Sequence, residues 1–209
     1  MKQFYILFDF DGVIADSFSV AFEVNKMVCP HLTENGYKKR FEGNINDWEK
    51  NDEKHTNKCR HNIDFFKEYV PRMKNSVTVV SGMKEILEEL SKTYNLIIIS
   101  STITEPIKEF MNKYGLEKYF IEIIGNDIHT SKVEKIKMVF EKYNICSEMC
   151  VFVTDTLGDI REAKQVMVDS IAVSWGYHEK NTILSGGPLK IVDKTEDLIA
   201  VISDYFKFK

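Results

Sequence analysis

The chain repeats one pattern three times: a short run of consecutive apolar residues that ends in a polar or acidic side chain. The runs are Phe4–Phe8, Leu96–Ile99 and Val151–Val153, and they end at Asp9, Ser100 and Thr154-Asp155. Apolar side chains at consecutive positions, rather than alternate ones, are typical of strands buried on both faces of a parallel sheet. The pattern therefore predicts buried parallel strands whose carboxyl ends carry polar groups.

Segments with helical periodicity separate these strands. Apolar residues recur at helical spacing in Met83–Leu90, Ile107–Tyr114, Ile136–Tyr143 and Leu198–Tyr205. Further strands are predicted at Ile121–Ile124 and Ile171–Ser174. Strands that alternate with crossover helices predict an α/β fold with a doubly wound parallel sheet.

One segment interrupts this alternation. Between Ser17 and Val79 no strong buried strand is evident, and helical patterns at Phe18–Val28 and Ile63–Met73 flank a polar stretch from Asn44 to Lys58. We therefore predict an α/β core formed by residues 1–16 and 80–209, with a small α-helical unit inserted at residues 17–79.

Charge and composition limit the partners. The 28 basic and 32 acidic side chains give a net charge of −4, so no global positive field attracts nucleic acid or anionic lipid. The apolar run Phe4–Phe8 is far shorter than the roughly 20 residues that span a bilayer, and shorter than the apolar region of a secretory signal. We expect neither nucleic acid nor a membrane as a partner.

Cysteine usage favours a reduced compartment. The four cysteines are too few for a disulfide framework in a chain of 209 residues, which predicts a cytoplasmic protein. Neither Cys59 with His61 nor Cys146 with Cys150 has the spacing of a zinc site. The histidines, His178 among them, are expected at the surface because each stands alone.

The strand ends bring several acids to one place. Ligands of open parallel sheets bind at the carboxyl ends of the strands, near the reversal of strand order. That edge receives six polar side chains: Asp9, Asp11, Ser100, Ser101, Asp155 and Asp159. Crowded carboxylates repel one another unless a cation is present, and a set of hard oxygen ligands suits Mg²⁺.

Asp9 and Asp11 have a spacing that suits phosphoryl chemistry. Alternate residues that leave a strand point the same way, so both carboxylates can face one pocket. One carboxylate can attack phosphorus while a neighbouring carboxylic acid protonates the leaving oxygen and later deprotonates water. The alternative interpretation of Asp11-Gly12 is a solvated tight turn. The position of Asp9 and Asp11 at the end of a buried strand favours a catalytic site over a turn.

Residues 9–17, with the sequence Asp-Phe-Asp-Gly-Val-Ile-Ala-Asp-Ser, resemble the first motif of the haloacid dehalogenase superfamily in its phosphatase form. Three further motifs follow in order: Ser100 resembles the second, Lys132 the third, and the segment 154–159 the fourth. Residues 171–177 resemble a strand and turn of phosphoglycolate phosphatase-like members. The resemblance covers essentially the whole chain, since the insertion at 17–79 resembles the helical C1 cap of the family.

This resemblance implies roles for individual residues. Asp9 is expected to attack phosphorus, and Asp11 to act as acid and then as base. Mg²⁺ is expected to bind Asp9, the backbone carbonyl of Asp11, and Asp155. The supporting residues are expected to be Asp159, which orients Lys132 or the water around the metal, and the phosphate-binding Ser100, Ser101 and Lys132. Lys132 is preferred over Lys135 and Lys137 because it falls at a junction between loop and helix.

Three functions fit these motifs. The first is a Mg²⁺-dependent phosphatase that hydrolyses a small phosphorylated metabolite through an aspartyl-phosphate. The second is a β-phosphoglucomutase-like phosphomutase, which shares the motifs and the helical cap. The third is a non-catalytic phospho-acceptor or binding module, which needs no insertion of 63 residues after its first strand. The sequence leaves the metabolite and the oligomeric state open.

Two positions depart from the family pattern. Thr154 stands where relatives often have glycine, and Val133 stands where they often have proline. Neither replaces a reacting group. Among the aromatic residues near the predicted site, Trp48, Trp175 and Tyr177 are expected to serve packing.

Overall fold

A parallel β-sheet forms the centre of the protein, in a computed structural model that describes residues 3–48, 60, 62–207 and 209. The strands are β1 (Tyr5–Phe8), β2 (Ala15–Asp16), β3 (Thr78–Val79), β4 (Asn95–Ile99), β5 (Phe120–Ile124), β6 (Cys150–Thr154), β7 (Asp169–Val173) and β8 (Lys190–Val192). Six of them form one parallel sheet in the order β5-β4-β1-β6-β7-β8. Strand order therefore reverses at β1, which lies between β4 and β6.

Helices cover both faces of this sheet. They are α1 (Phe18–Val28), α2 (Glu34–Lys39), α3 (Phe65–Ser76), α4 (Met83–Thr93), α5 (Thr104–Lys113), α6 (Lys132–Tyr143), α7 (Leu157–Gln165), α8 (Lys180–Ser185) and α9 (Leu198–Lys207). Single 3₁₀ turns occur at Arg40–Glu42, Ile45–Asp47, Glu117–Tyr119, Ser147–Met149 and Thr195–Asp197. In the part of the chain that the structure describes, none of the helices has both the length and the apolar character needed to cross a bilayer.

The core consists of two main apolar clusters, one on each face of the sheet. Ile6 and Phe8 of β1 belong to the cluster that includes α4, α5 and α9. Tyr5 and Leu7 belong to the other, with Ile136 of α6. Adjacent strand residues point to opposite faces, so a strand covered on both sides must be apolar throughout. The predicted doubly wound α/β fold is confirmed.

Some elements were not predicted from the sequence. The edge strand β8 has three residues, and β2 and β3 have two each, which is too short for a periodic signal. Helix α7 follows the acidic motif directly and begins after Thr156, whose hydroxyl accepts a hydrogen bond from the Asp159 N–H.

A two-stranded ribbon marks where the chain leaves and rejoins the core. Strands β2 and β3 pair antiparallel, with Ala15 opposite Val79 and Asp16 opposite Thr78. Helices α1, α2 and α3 lie between them in the chain, and we call this segment the cap. The domain boundaries predicted at 16/17 and 79/80 fall at the ends of this ribbon. Of the polar stretch 44–58, residues 49–58 lie outside the described residues.

The cysteines described by the structure are free thiols. Cys29 and Cys150 are buried and Cys146 is exposed. Cys59 and His61, discussed above as a metal-ligand pair, lie outside the described residues.

Candidate active site

The carboxyl ends of β1, β4 and β6 meet at one edge of the sheet and face the cap. A cavity of about 390 Å³ lies between this edge and the cap helices. Asp9, Asp11, Ser101, Lys132 and Asp159 line its core side. The topology thus brings together groups from distant parts of the sequence, because β1 pairs with both β4 and β6.

Lys132 connects two carboxylates at the floor of the cavity. Its Nζ lies 2.8 Å from Oδ1 of Asp9 and 2.7 Å from Oδ2 of Asp159. Thr154 donates a 2.6 Å hydrogen bond to the same Asp159 oxygen. All four side chains are buried. The hydroxyl of Thr154 therefore helps to hold Asp159 against Lys132.

The charges in this group perturb one another. Burial raises the pKa of Asp9 well above its ordinary range, and the nearby Asp159 and Asp155 add to this effect while Lys132 opposes it. Burial alone would lower the pKa of Lys132, but Asp159 and Asp9 raise it above its ordinary value. Lys132 therefore stays charged and compensates for carboxylates that would otherwise be buried without a partner.

The structure distinguishes Lys132 from its two neighbours in the sequence. Lys132 is the first residue of α6, as predicted, and its side chain enters the cavity. Lys135 is also buried, but its Nζ donates to the backbone oxygen of Ser100, and burial lowers its pKa to about 8. Lys137 is exposed and pairs with Glu134 at 2.8 Å.

Asp155 lies beside this group, and its two carboxylate oxygens have different surroundings. Its Oδ2 accepts a 2.6 Å hydrogen bond from the Tyr177 N–H, whereas its buried Oδ1 contacts no donor among the residues that the structure describes. Burial raises the pKa of Asp155 to about 7. A buried carboxylate oxygen without a donor is costly, and a cation ligated by that oxygen removes the cost.

The backbone around Asp155 leaves room for its carboxylate. A Cβ atom on Gly12 would lie 2.1 Å from Oδ2 of Asp155, and one on Gly176 would lie 2.2 Å from it. Gly12 also has φ +78°, a conformation that disfavours other residues. Glycine at both positions is therefore needed for the carboxylate to lie where it does.

The predicted Mg²⁺ ligands form a small set of oxygen donors. That set contains two side-chain carboxylates, Asp9 and Asp155, and the backbone carbonyl of Asp11. Among the described residues, no group of three or more His, Cys, Asp or Glu side chains is arranged to hold a metal. Mg²⁺ commonly binds one or two carboxylates and completes its shell with water and substrate phosphate, so this small set is sufficient.

Both carboxylate oxygens of Asp11 accept hydrogen bonds. Tyr69 of α3 donates to Oδ1 at 2.7 Å, and Thr102, just after β4, donates to Oδ2 at 2.7 Å. Sequence reasoning missed both donors. Tyr69 shows only helical apolar spacing, and Thr102 lies two residues beyond the serine identified by the motif. Asp11 is thereby fixed from the cap on one side and from the core on the other.

The two predicted serines occupy different environments. Ser100 is fully buried at the end of β4, and its hydroxyl accepts a 2.9 Å hydrogen bond from the Thr102 N–H. Ser101 is partly exposed and lines the cavity with Thr102. Their proposed contacts with phosphate stay predictions.

Two further residues link the site to its surroundings and were not anticipated. Glu162 of α7 lines the cavity and accepts hydrogen bonds from the backbone of Lys132 and from Asn44 of the cap. The expectation that His178 lies at the surface was wrong. It is buried, accepts from the Leu157 N–H at 2.9 Å, and lies 2.8 Å from the Lys38 carbonyl of the cap. A local polar context does not reveal that the cap covers this loop.

The aromatic residues divide between packing and the cavity. Trp175 donates to the Val13 carbonyl at 3.3 Å. Tyr177 packs against Phe18 and Phe41 but also lines the cavity. Trp48 lines the cavity as well, and the Arg40 guanidinium lies over its ring at 3.5 Å. For Tyr177 and Trp48 the packing role is thus combined with a position in the cavity wall.

Comparison with known proteins identifies a family. The family model described as haloacid dehalogenase-like hydrolase matches residues 6–173. The pyrophosphatase PpaX of Oceanobacillus iheyensis is 26% identical over 211 residues, which is 96% of this chain and 97% of that protein. A phosphoglycolate phosphatase of Vibrio parahaemolyticus is 24% identical over 58% of this chain, and the match spans 55% of that protein's length.

Solved structures share the fold. A predicted phosphatase from Clostridium acetobutylicum aligns with a TM-score of 0.81 and 21% identity, over 98% of this chain and all of the other. A predicted phosphoglycolate phosphatase from Haemophilus somnus aligns with a TM-score of 0.74 and 20% identity, over 97% of this chain and 99% of the other.

Proposed function

We propose that this chain, which belongs to the haloacid dehalogenase-like hydrolase family and is a phosphatase of that family, hydrolyses a small phosphate monoester. The proposed reaction depends on Mg²⁺ and passes through an aspartyl-phosphate on Asp9. The observation that carries the proposal is the contact of Lys132 with both Asp9 and Asp159, beside the unpartnered oxygen of Asp155. These groups combine a nucleophile, a fixed positive charge and a place for a cation.

In the first step Asp9 attacks the substrate. One carboxylate oxygen of Asp9 forms a bond to phosphorus, and the bond between phosphorus and the alcohol oxygen breaks. The leaving oxygen keeps that electron pair and takes a proton from the carboxylic acid form of Asp11. Lys132 lies 2.8 Å from Asp9 and offsets the charge of two approaching anions.

In the second step water releases the phosphate. Asp11, now a carboxylate, takes a proton from water as the water oxygen bonds to phosphorus. The bond between phosphorus and the Asp9 oxygen breaks, which frees inorganic phosphate and restores the Asp9 carboxylate. One group can serve as acid and then as base because the first step leaves it deprotonated.

Bound Mg²⁺ would supply positive charge beside the phosphate and orient its oxygens. Asp9, Asp155 and the backbone carbonyl of Asp11 are the residues that would hold it. The raised pKa of Asp155, to about 7, reflects burial of a carboxylate with one unpartnered oxygen. Ser100 and Ser101, at the end of β4, are the proposed phosphate-binding serines.

Phosphate release from p-nitrophenyl phosphate tests the proposal. The wild-type protein should turn over many times with Mg²⁺ and lose this activity when EDTA removes the metal. Asp9→Asn keeps the side-chain shape but removes the nucleophile, and should lower kcat by at least about a thousandfold, since covalent catalysis is lost. Asp16→Asn, an exposed acid on β2, is the matched control and should retain activity. Full activity in Asp9→Asn would refute the nucleophile assignment.

The same assay separates the other functions. A phosphomutase requires a bisphosphorylated sugar primer and interconverts sugar phosphates faster than it releases phosphate. A phospho-acceptor module accumulates one phosphate per chain without turnover. Sustained phosphate release without a primer is the result expected here.

A further inference from the structure

The cap side of the cavity has a predominantly aromatic wall. Six aromatic side chains of the cap contribute to it: Tyr37, Phe41, Trp48, Phe65, Phe66 and Tyr69. Phe65 is stacked on Tyr69 at 5.1 Å and lies edge-on to Phe66 at 5.3 Å, and Tyr37 lies edge-on to Phe41 at 5.1 Å. Aliphatic residues such as Val28, Ile45 and Ile63 complete this wall. A substrate whose phosphate lies at Asp9 places its leaving group here.

Three polar side chains of this wall, Asn25, Asn46 and Tyr69, are already paired within the protein. The amide nitrogen of Asn25 donates to the Ala21 carbonyl, and its oxygen accepts from Arg40. Asn46 donates to the Thr130 carbonyl at 2.9 Å. The Tyr69 hydroxyl donates to Asp11. These groups hold the cap to itself and to the core, so the surface offered to a leaving group is mainly apolar.

The charges around the cavity disfavour a second anionic group on the substrate. Of the described residues that line the cavity, Lys132 is the one cation, and Asp9, Asp11, Asp159 and Glu162 are acidic. Lys132 already contacts two of these carboxylates. A carboxylate or second phosphate on the leaving group would therefore meet aromatic rings and negative charge, and burial of an unpaired charge is costly.

We propose that the substrate of this site is the phosphate ester of an uncharged, largely apolar alcohol about the size of an aromatic ring. The proposal rests on the phosphatase function proposed above and names its substrate class. It separates this chain from enzymes whose substrates carry a second anionic group, such as phosphoglycolate or pyrophosphate. A cavity of about 390 Å³ lies within the range of small-molecule sites.

Two matched ligand pairs test the proposal. Benzyl phosphate and 2-phosphoglycolate are both phosphate esters of a primary alcohol. Benzyl phosphate carries a phenyl ring where 2-phosphoglycolate carries a carboxylate. Benzylphosphonate and phosphonoacetate differ in the same way and cannot be hydrolysed. With Mg²⁺ present, wild-type kcat/KM for benzyl phosphate should exceed that for phosphoglycolate by about tenfold or more, the effect expected from burying an aromatic ring. Calorimetry should show the same order of binding for the two phosphonates.

A charge placed in the aromatic wall should reverse the preference. Phe66→Lys should weaken binding of benzylphosphonate and strengthen binding of phosphonoacetate. Asn75→Lys adds the same charge at an exposed position of the same helix, α3, and should leave both affinities unchanged. If a variant does not fold, the affinities of the wild-type protein for benzylphosphonate and phosphonoacetate still test the proposed substrate class.

The outcomes separate this inference from the function on which it rests. Equal or tighter binding of phosphonoacetate by the wild-type protein would overturn the substrate class, whether or not the protein is active. Absence of phosphate release from every ester, with benzylphosphonate still bound more tightly, would refute the proposed hydrolysis of phosphate monoesters and leave the apolar subsite standing.

Discussion

The hydroxyl of Tyr69, on cap helix α3, donates a 2.7 Å hydrogen bond to Oδ1 of Asp11, at the end of the central strand. The two residues are 58 positions apart in the chain. Burial raises the pKa of Tyr69 well above its ordinary value, and the Asp11 charge adds to this, so Tyr69 remains a hydrogen-bond donor at any ordinary pH. This hydrogen bond therefore links the position of the cap to the orientation of Asp11, the proposed acid and base.

Loss of this bond should reduce turnover. Tyr69→Phe keeps the ring stacked on Phe65 but leaves Asp11 held by Thr102 alone. We expect kcat to fall by about tenfold to a hundredfold, with little change in KM, because a hydrogen bond to a charged group contributes about 1.5–3 kcal/mol. Steady-state kinetics with benzyl phosphate measure both constants. Tyr114→Phe, which removes a hydroxyl bonded to the Val77 carbonyl, is the control. Unchanged kcat in Tyr69→Phe would show that Asp11 needs no support from the cap.

Two lysines of helix α6, Lys132 at its first position and Lys137 near its middle, should differ sharply in importance. Lys132→Met leaves Asp9 and Asp159 buried without their cation, which should destabilise the protein by about 3 kcal/mol or more and abolish activity. Lys137→Met breaks an exposed pair with Glu134 and should leave the free energy of unfolding nearly unchanged, because solvent screens such pairs. Urea denaturation measures both changes. Similar losses in the two variants would contradict the buried role of Lys132.

Two glycines with similar backbone conformations provide a test of the space around Asp155. Gly12 has φ +78° and Gly115 has φ +68°. An added Cβ at Gly12 meets the Asp155 carboxylate, whereas at Gly115 no atom in the described part of the chain lies within 4 Å. Gly115→Ala should cost about 1–2 kcal/mol from backbone strain alone. Gly12→Ala should cost more and also raise the Mg²⁺ concentration needed for half-maximal phosphate release. Equal effects on stability, with unchanged metal dependence, would argue against this steric role.

Asp127 should make stability depend on pH through the start of α5. Its Oδ1 accepts from the N–H of Thr104 at 2.6 Å and from the Thr104 hydroxyl at 2.8 Å. Burial tends to raise the pKa of Asp127, but these hydrogen bonds outweigh it and lower the pKa below its ordinary value. The folded carboxylate thus binds a proton less readily than the unfolded one. Its stabilisation is present above the unfolded pKa of about 3.9 and is lost as pH falls through the lower folded value.

Asp127→Asn should therefore lower the free energy of unfolding by about 1 kcal/mol at neutral pH, the usual worth of such a cap. The difference from wild type should shrink as the pH falls toward 3. Urea denaturation at several pH values measures this difference. Asp204→Asn, at an exposed position of α9, is the control and should show no such trend. A difference that grows in acid would contradict the sign of the shift.

The local pattern of apolar residues was sufficient to predict the central strands, most of the helices and the acids at the strand ends. A strand covered on both faces must be apolar at every position, and this requirement is visible along a few consecutive residues. Asp9 and Asp159 were identified because each follows the end of a strand, and Lys132 because it resembles the basic residue of the third family motif at a predicted helix start. Their contact then follows from the parallel order of the sheet.

The tertiary structure alone decided which side chains complete the site. Tyr69 and Thr102 reach Asp11 from 58 and 91 residues away, and neither belongs to a local pattern that reports such a contact. His178 is buried because the cap covers its loop. The apolar character of the cavity arises when cap residues of ordinary helical spacing turn toward the carboxylates. The spacing of apolar residues along a helix predicts which face is buried. Which residues that face contacts depends on how segments distant in the sequence pack together.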